Sequence, residues 1–114
     1  MIESGQYAWR GFSVATRQKT LFERYREGIE DGSIRLKSGR VFGNYQTNEQ
    51  KWYTAYVLSD GRFRRCLMDS FEPEDFDVER FLSDFRLDRN HYGSFALMGF
   101  TIQGFLSQAI NGEL

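Results

Sequence analysis

The first strong pattern along the chain is a stripe of apolar residues at helical spacing between about 14 and 31. Its members are Val14, Leu21, Phe22, Tyr25 and Ile29. Residues three and four apart lie on one side of a helix, so the stripe predicts a helix with a buried face. Ser13 can cap its start, and Gly32 stands where the helix would end. Gly28 weakens its last turn by about 1 kcal/mol relative to alanine.

Alternating residues then predict a four-stranded antiparallel meander. The predicted strands cover 34–37, 41–45, 51–59 and 62–68. The third has the highest strand propensity, because it is rich in aromatic and β-branched residues. Three turns separate the strands, at Ser38-Gly39, at 47–50 and at Asp60-Gly61. The last is a strong hairpin signal, since both of its positions tolerate a positive φ.

Two further helices are predicted in the C-terminal part. Pro73, the only proline, fits the first turn of a helix, and the carboxylates around it suit the positive end of the helix dipole. The helix continues through an apolar stripe of Val78, Phe81, Leu82 and Phe85. Residues 94–111 predict a last helix with Ser94 as its cap, although two glycines interrupt the pattern and 95–102 also fits an edge strand.

Together these elements predict an α+β fold with an N-terminal helix, a four-stranded antiparallel meander and two C-terminal helices packed on one face of the sheet. No repeat or linker divides the chain, so we expect residues 1–114 to form a single compact domain. Residues 2–12 are aromatic and predict either a first strand or an arm over the core. Aromatic residues make up 17% of the chain. That is more than so small a core readily holds, so some rings are expected in a surface contact site.

Composition excludes several classes of site. Cys66 is the only cysteine and His91 the only histidine, which excludes an intramolecular disulfide and a four-ligand Cys/His zinc site. Phosphate-loop and dinucleotide glycine patterns are absent, and we expect no metal and no cofactor. The first residues show no basic stretch followed by an apolar run, and no apolar run is long enough to span a membrane. We therefore expect a cytoplasmic protein without a membrane partner.

Charge is divided along the chain although the net charge is only −1. Residues 1–67 hold twelve Lys/Arg against seven Asp/Glu, and 68–114 hold three Arg against nine Asp/Glu. The folded halves either neutralise each other or present two faces of opposite sign. Eight of the carboxylates lie between 69 and 88, where they predict a phosphate-like surface or, more simply, a solvated helix face.

Six residues of the predicted meander are the candidate binding residues. They are Tyr45, Trp52, Tyr53, Arg62, Arg64 and Arg65. Interleaved cations and flat rings bind single-stranded nucleic acid, and Tyr, Trp and Arg also dominate protein interfaces. The hypothesis requires these rings and guanidinium groups to share one exposed surface. Strand alternation places Arg62 and Arg64 opposite Phe63 and Arg65. The alternative is an open sheet face with ordinary solvated charges.

The segment 51–71 also carries a resemblance to a known family. In Trp52, Tyr53, Ala55, Val57 and Gly61 it resembles the strand-turn-strand of Tudor and other SH3-like barrels. The resemblance implies an aromatic cage of Trp52, Tyr53 and Phe63 around a methylated cation. The helices predicted before and after the meander depart from a lone small barrel. Any aromatic hairpin with an Asp-Gly turn produces the same pattern, so it assigns no family.

Segregated charge, abundant rings and the lack of a catalytic constellation favour a non-enzymatic binding protein that docks on a protein or protein–nucleic-acid partner. An accessory or inhibitor protein of a phage or mobile element fits this description. Binding of single-stranded DNA or RNA by the meander is the second hypothesis. The third is a small hydrolytic enzyme with His91 as general base beside Asp88. Cys66 is expected to be a small buried hydrophobe, and no heptad or seam fixes an oligomeric state.

Overall fold

The computed structural model describes residues 18–87 and 93–114. Within these ranges the chain forms three helices: α1 (Leu21–Asp31), α2 (Val78–Leu87) and α3 (Ser94–Ile110). It also forms four strands: β1 (Arg40–Gln46), β2 (Trp52–Val57), β3 (Phe63–Leu67) and β4 (Pro73–Asp75). The strands are antiparallel and lie in chain order across one sheet. The helices pack on one face of it, so the predicted α+β fold is confirmed.

The first helix has well-formed ends. Thr20 is its N-cap, and a capping box joins it to Glu23: the Glu23 amide donates to Thr20 Oγ1 at 3.1 Å, and the Thr20 amide donates to Glu23 Oε1 at 2.8 Å. Gly32 ends the helix with φ +85°, as predicted. The predicted start at Ser13 and the aromatic segment 2–12 lie outside the described residues.

The predicted strand 34–37 is wrong. This segment is an irregular connection that turns back along α1, because the Ile34 amide donates to the Gly28 carbonyl at 3.0 Å. Ile34 packs so closely on the helix that a Cβ at Gly28 would overlap its side chain. The glycine that weakens the last turn is therefore needed for this contact.

The fourth strand also differs from the prediction. Pro73 opens β4 instead of a helix, and β4 pairs with β3 at the edge of the sheet. An edge strand tolerates a proline because one side of it needs no amide donor. The helix begins later, at Val78, and the Asp77 carboxylate accepts from the Arg80 amide at 3.1 Å in its first turn.

The last segment is a helix and not an edge strand, although Gly93 occupies the cap position assigned to Ser94. Gly99, which interrupts the sequence pattern, has a packing role: a Cβ there would lie 2.7 Å from Cγ of Phe85. At Gly104, by contrast, a Cβ would meet no described atom within 4 Å beyond the neighbouring backbone of α3 itself. Neither α3 nor another helix in the described ranges has the length and apolar character needed to cross a membrane.

The core is a layer of aromatic rings between the helices and one face of the sheet. Tyr53, Ala55 and Val57 alternate toward the helices on β2. On β1 a bulge between Val41 and Gly43 places Phe42 on the same side, where its ring lies 5.6 Å from Phe63 and 5.2 Å from Phe105. The helix-facing side of the sheet is therefore fully occupied by core packing.

Candidate functional site

The six predicted binding residues do not share one surface. Tyr45 and Tyr53 face each other across β1 and β2 on the helix-facing side, where they are 1% and 7% exposed. Arg65 lies on that side as well, opposite Ala55. Trp52, which is 43% exposed, and Arg64 lie on the other side of the sheet. The expectation of one exposed patch is corrected, because successive residues of a strand point to opposite faces.

The implied aromatic cage is absent for the same reason. Tyr53 and Phe63 are buried beneath the helices, while Trp52 belongs to the opposite face of the sheet. The sheet is also open, with β1 and β4 at its two ends and no pairing between them. The likeness of 51–71 to an SH3-like barrel is thus confined to a strand-turn-strand.

Arg65 ties the buried rings to the edge strand. Its guanidinium carbon lies 3.9 Å from the centre of the Tyr53 ring; Nη1 donates to the Tyr45 hydroxyl at 2.8 Å, and Nε donates to Glu74 at 2.6 Å. Burial raises the pKa of Tyr45, and Arg65 opposes that rise. Burial lowers the pKa of Arg65, but the hydrogen bonds to Tyr45 and Glu74 outweigh it and leave a net increase. Arg65 is therefore occupied within the fold.

All three arginines around β3 are paired with carboxylates. Arg62 Nε lies 2.9 Å from Asp60 Oδ2 in the preceding turn. Arg64 Nε lies 3.5 Å from Asp75 Oδ1, an ion-pair distance without hydrogen-bond geometry. The Arg64–Asp75 and Arg65–Glu74 pairs join the basic part of the chain to the acidic part at the β3–β4 edge, whereas Arg62 pairs within the basic part. At this edge the two halves neutralise each other.

A cleft of about 370 Å³ opens beside Arg65, between the β1–β2 turn and α2. Asp75, Asp77 and Asp84 line it together with Arg80, whose Nε lies 3.3 Å from Asp84 Oδ2. Across 18–87 and 93–114, no group of three Cys, His, Asp or Glu side chains is placed to hold a metal ion. The cleft thus offers paired charges and not a set of free ligands.

The opposite side of the sheet, here called the outer sheet face, is not covered by any described helix. Its members are Val41, Asn44, Gln46, Trp52, Thr54, Tyr56, Arg64, Cys66 and Met68, placed there by the strand register and, for Met68, by its amide bond to the Trp52 carbonyl. Val41 and Met68 are 67% and 38% exposed. The Thr54 hydroxyl donates to Asn44 Oδ1 at 2.7 Å, which pairs two of the polar groups.

Cys66 lies half-buried on this face and not in the core as expected. Sequence reasoning missed Val41 and Met68. A signal was present in β2, whose outward residues include two rings, Trp52 and Tyr56, against the single inward ring of Tyr53. A strand that is apolar on both sides is typical of a sheet with both faces covered. Among the described residues, the helices cover only one.

Asp88 and His91, the residues of the enzymatic hypothesis, lie outside the described residues. Comparison with family models, with curated proteins and with solved structures finds no match to this chain. The outer sheet face is the surface of the described chain that bears most directly on function.

Proposed function

We propose that this chain is a non-enzymatic binding protein whose outer sheet face docks on a protein partner. The observation that carries the proposal is the exposure of large apolar side chains on that face. Trp52, Val41 and Met68 all lie there, and no described element packs over them. They span the face from Val41, opposite Tyr56, to Trp52 and Met68 at the other end of the register. Large apolar side chains exposed on an uncovered sheet face are typical of an interaction site.

The partner surface that fits this face is apolar and carries little net charge. Arg64 is the one cation that the register places on the outer face, and Asp75 already pairs with it. A charged partner would gain little long-range attraction from such a face. Trp52 is the expected centre of the contact, because tryptophan is enriched among the residues that contribute 2 kcal/mol or more to binding.

Single-stranded nucleic acid is the alternative occupant, since Trp52 and Tyr56 offer rings for base stacking. The ion pairs of Arg62, Arg64 and Arg65 argue against it, because a phosphate would have to compete with a carboxylate at each arginine. A fluorescent oligonucleotide at low and high salt tests this directly. Binding that weakens with salt would support the alternative.

The docking test compares two variants with equal starting exposure. Val41 on the outer sheet face and Leu97 on α3 are each 67% exposed, so glutamate at either site is tolerated by the fold. Val41→Glu places an unpaired carboxylate within the proposed interface, and Leu97→Glu places one on the other side of the molecule. Immobilised wild-type and variant chains are compared in extracts of the native host. We expect a partner that Leu97→Glu retains and Val41→Glu loses.

The interaction is then measured with the purified partner. Trp52→Ala should raise the dissociation constant by at least about 30-fold, the equivalent of 2 kcal/mol. Phe100→Ala is the matched control, because Phe100 is an exposed ring of the helical layer. A partner that binds equally well to Val41→Glu, or one whose affinity changes with Phe100 and not with Trp52, would show that the outer sheet face is not the contact.

A further inference from the structure

A second exposed apolar surface lies on α3, on the helical side of the molecule. We call it the α3 stripe; it consists of Leu97, Phe100, Thr101, Gly104 and Gln108. These residues recur at spacings of three and four, so they lie along one side of the helix. Leu97 and Phe100 are 67% and 64% exposed, while the opposite side of α3 packs on β1 and is flanked by α1 and α2.

Charge is missing from the whole of α3. None of its 17 residues is acidic, basic or histidine. A helix that faces water normally carries charged residues on that side, and one that is apolar all round is normally buried. The one hydroxyl of the stripe is already used within the helix, since Thr101 Oγ1 donates to the Leu97 carbonyl at 2.9 Å. The α3 stripe therefore has the composition of a covered surface.

Gly104 is a second indication that another molecule covers the α3 stripe. A glycine inside a helix costs about 1 kcal/mol relative to alanine. Gly28 and Gly99 are each explained by a side chain that a Cβ would strike, but a Cβ at Gly104 would meet no described atom within 4 Å beyond the neighbouring backbone of α3 itself. A small residue on a helix face lets another helix approach closely. No described residue of the same chain makes that approach.

We propose that the α3 stripe binds a second copy of this chain in an antiparallel, two-fold symmetric pair. A pair centred between Thr101 and Gly104 places Thr101 of one copy opposite Gly104 of the other, and Leu97 opposite Gln108. Each contact thus occurs twice, as in an isologous interface, and the bare backbone at Gly104 of each copy meets the Thr101 side chain of the other. The stripe carries no charge, so identical copies meet without repulsion, and antiparallel helices align their dipoles favourably.

The test uses the full chain and measures its mass by sedimentation equilibrium over a range of concentrations. We expect a reversible dimer. Leu97→Glu and Gly104→Gln should each raise its dissociation constant at least about tenfold. Val41→Glu is the matched control, because it adds the same charge at the same exposure on the other side of the sheet, and should leave the dimer unchanged.

Gly104→Gln separates association from folding. Glutamine is a better helix former than glycine and meets no described atom at this position, so the monomer should be at least as stable in urea. A wild-type chain that stays monomeric at its highest soluble concentration would overturn the proposal. So would a dimer that only Val41→Glu breaks, or one that none of the three variants weakens. Loss of the host partner in Val41→Glu is a separate result and bears on the outer sheet face alone.

Discussion

Two glycines of the same helix should respond to the same substitution with opposite sign. Gly99 and Gly104 both lie inside α3, so replacing either by alanine gains up to about 1 kcal/mol of helix propensity. At Gly99 the new methyl carbon would lie 2.7 Å from Phe85 Cγ and 2.8 Å from both Cδ atoms. Carbon atoms in contact prefer about 3.5–4.0 Å, so the ring must move by about 1 Å. At Gly104 the same methyl meets nothing.

Because the propensity gain is common to both variants, their difference isolates the packing cost at Phe85. That ring also contacts Phe95 and Phe100, with centres at 6.2 and 5.2 Å, so it cannot move alone. Overpacking of this kind costs about 1–3 kcal/mol. We expect Gly104→Ala to raise the free energy of unfolding by up to about 1 kcal/mol and Gly99→Ala to lie about 1–3 kcal/mol below it.

The measurement is urea unfolding at a protein concentration low enough to keep the chain monomeric, with equal slopes confirming a change in stability. If Gly99→Ala proved as stable as Gly104→Ala, Phe85 would not pack against α3 as described. If Gly104→Ala lowered the stability of the monomer, the space around Gly104 would be filled.

Three further substitutions test local features of the fold. Thr20→Ala removes the α1 cap and should lower the free energy of unfolding by about 1 kcal/mol, measured in urea; an unchanged midpoint would mean that the capping box does not form. Arg65→Lys loses the stack on Tyr53 and the forked hydrogen bonds and should cost about 1–2 kcal/mol, whereas Arg64→Lys on the same strand should stay within about 0.5 kcal/mol. Burial raises the pKa of Tyr25 in the folded chain, and its hydroxyl donates to the Gly61 carbonyl at 2.9 Å. A raised folded-state pKa stabilises the fold fully below the unfolded value near 10, and this stabilisation is lost as the pH rises above it. Stability should therefore fall as the pH rises above about 10, and Tyr25→Phe should make that fall shallower; a parallel pH profile in the variant would contradict the assignment.

The helices, whose apolar residues recur at regular spacing, could be predicted from the sequence. Which face of the sheet is buried could not. Neighbouring residues alone predict the three helices and the Asp60-Gly61 turn, through the period of the apolar residues and the residue types at the turn. Alternation in β2 likewise separates Trp52, Thr54 and Tyr56 from Tyr53, Ala55 and Val57. It does not say which set is buried, because both contain large rings. The structure buries the set that contains Ala55 and Val57.

Two sequence predictions failed because contacts with a neighbouring element outweighed the pattern of the segment itself. Residues 34–37 alternate like a strand, but Ile34 is drawn back to Gly28 at the end of α1. Pro73 and its acidic neighbours look like a helix start, but Glu74 and Asp75 pair with arginines of β3 and extend the sheet. In both cases the deciding partner lies outside the segment. The alternation or turn pattern of the segment alone therefore does not contain the signal.

The two edge strands of the sheet differ in how readily they would pair with another chain during aggregation. One is β4, three residues long, with a proline and two carboxylates that discourage further pairing. The other is β1, seven residues long, whose side chains include a single charge, that of Arg40, and whose outward peptide groups meet no described strand. Aggregating chains should therefore pair with the free edge of β1. A lysine at Val41 is the simplest protective change for storage or crystallisation.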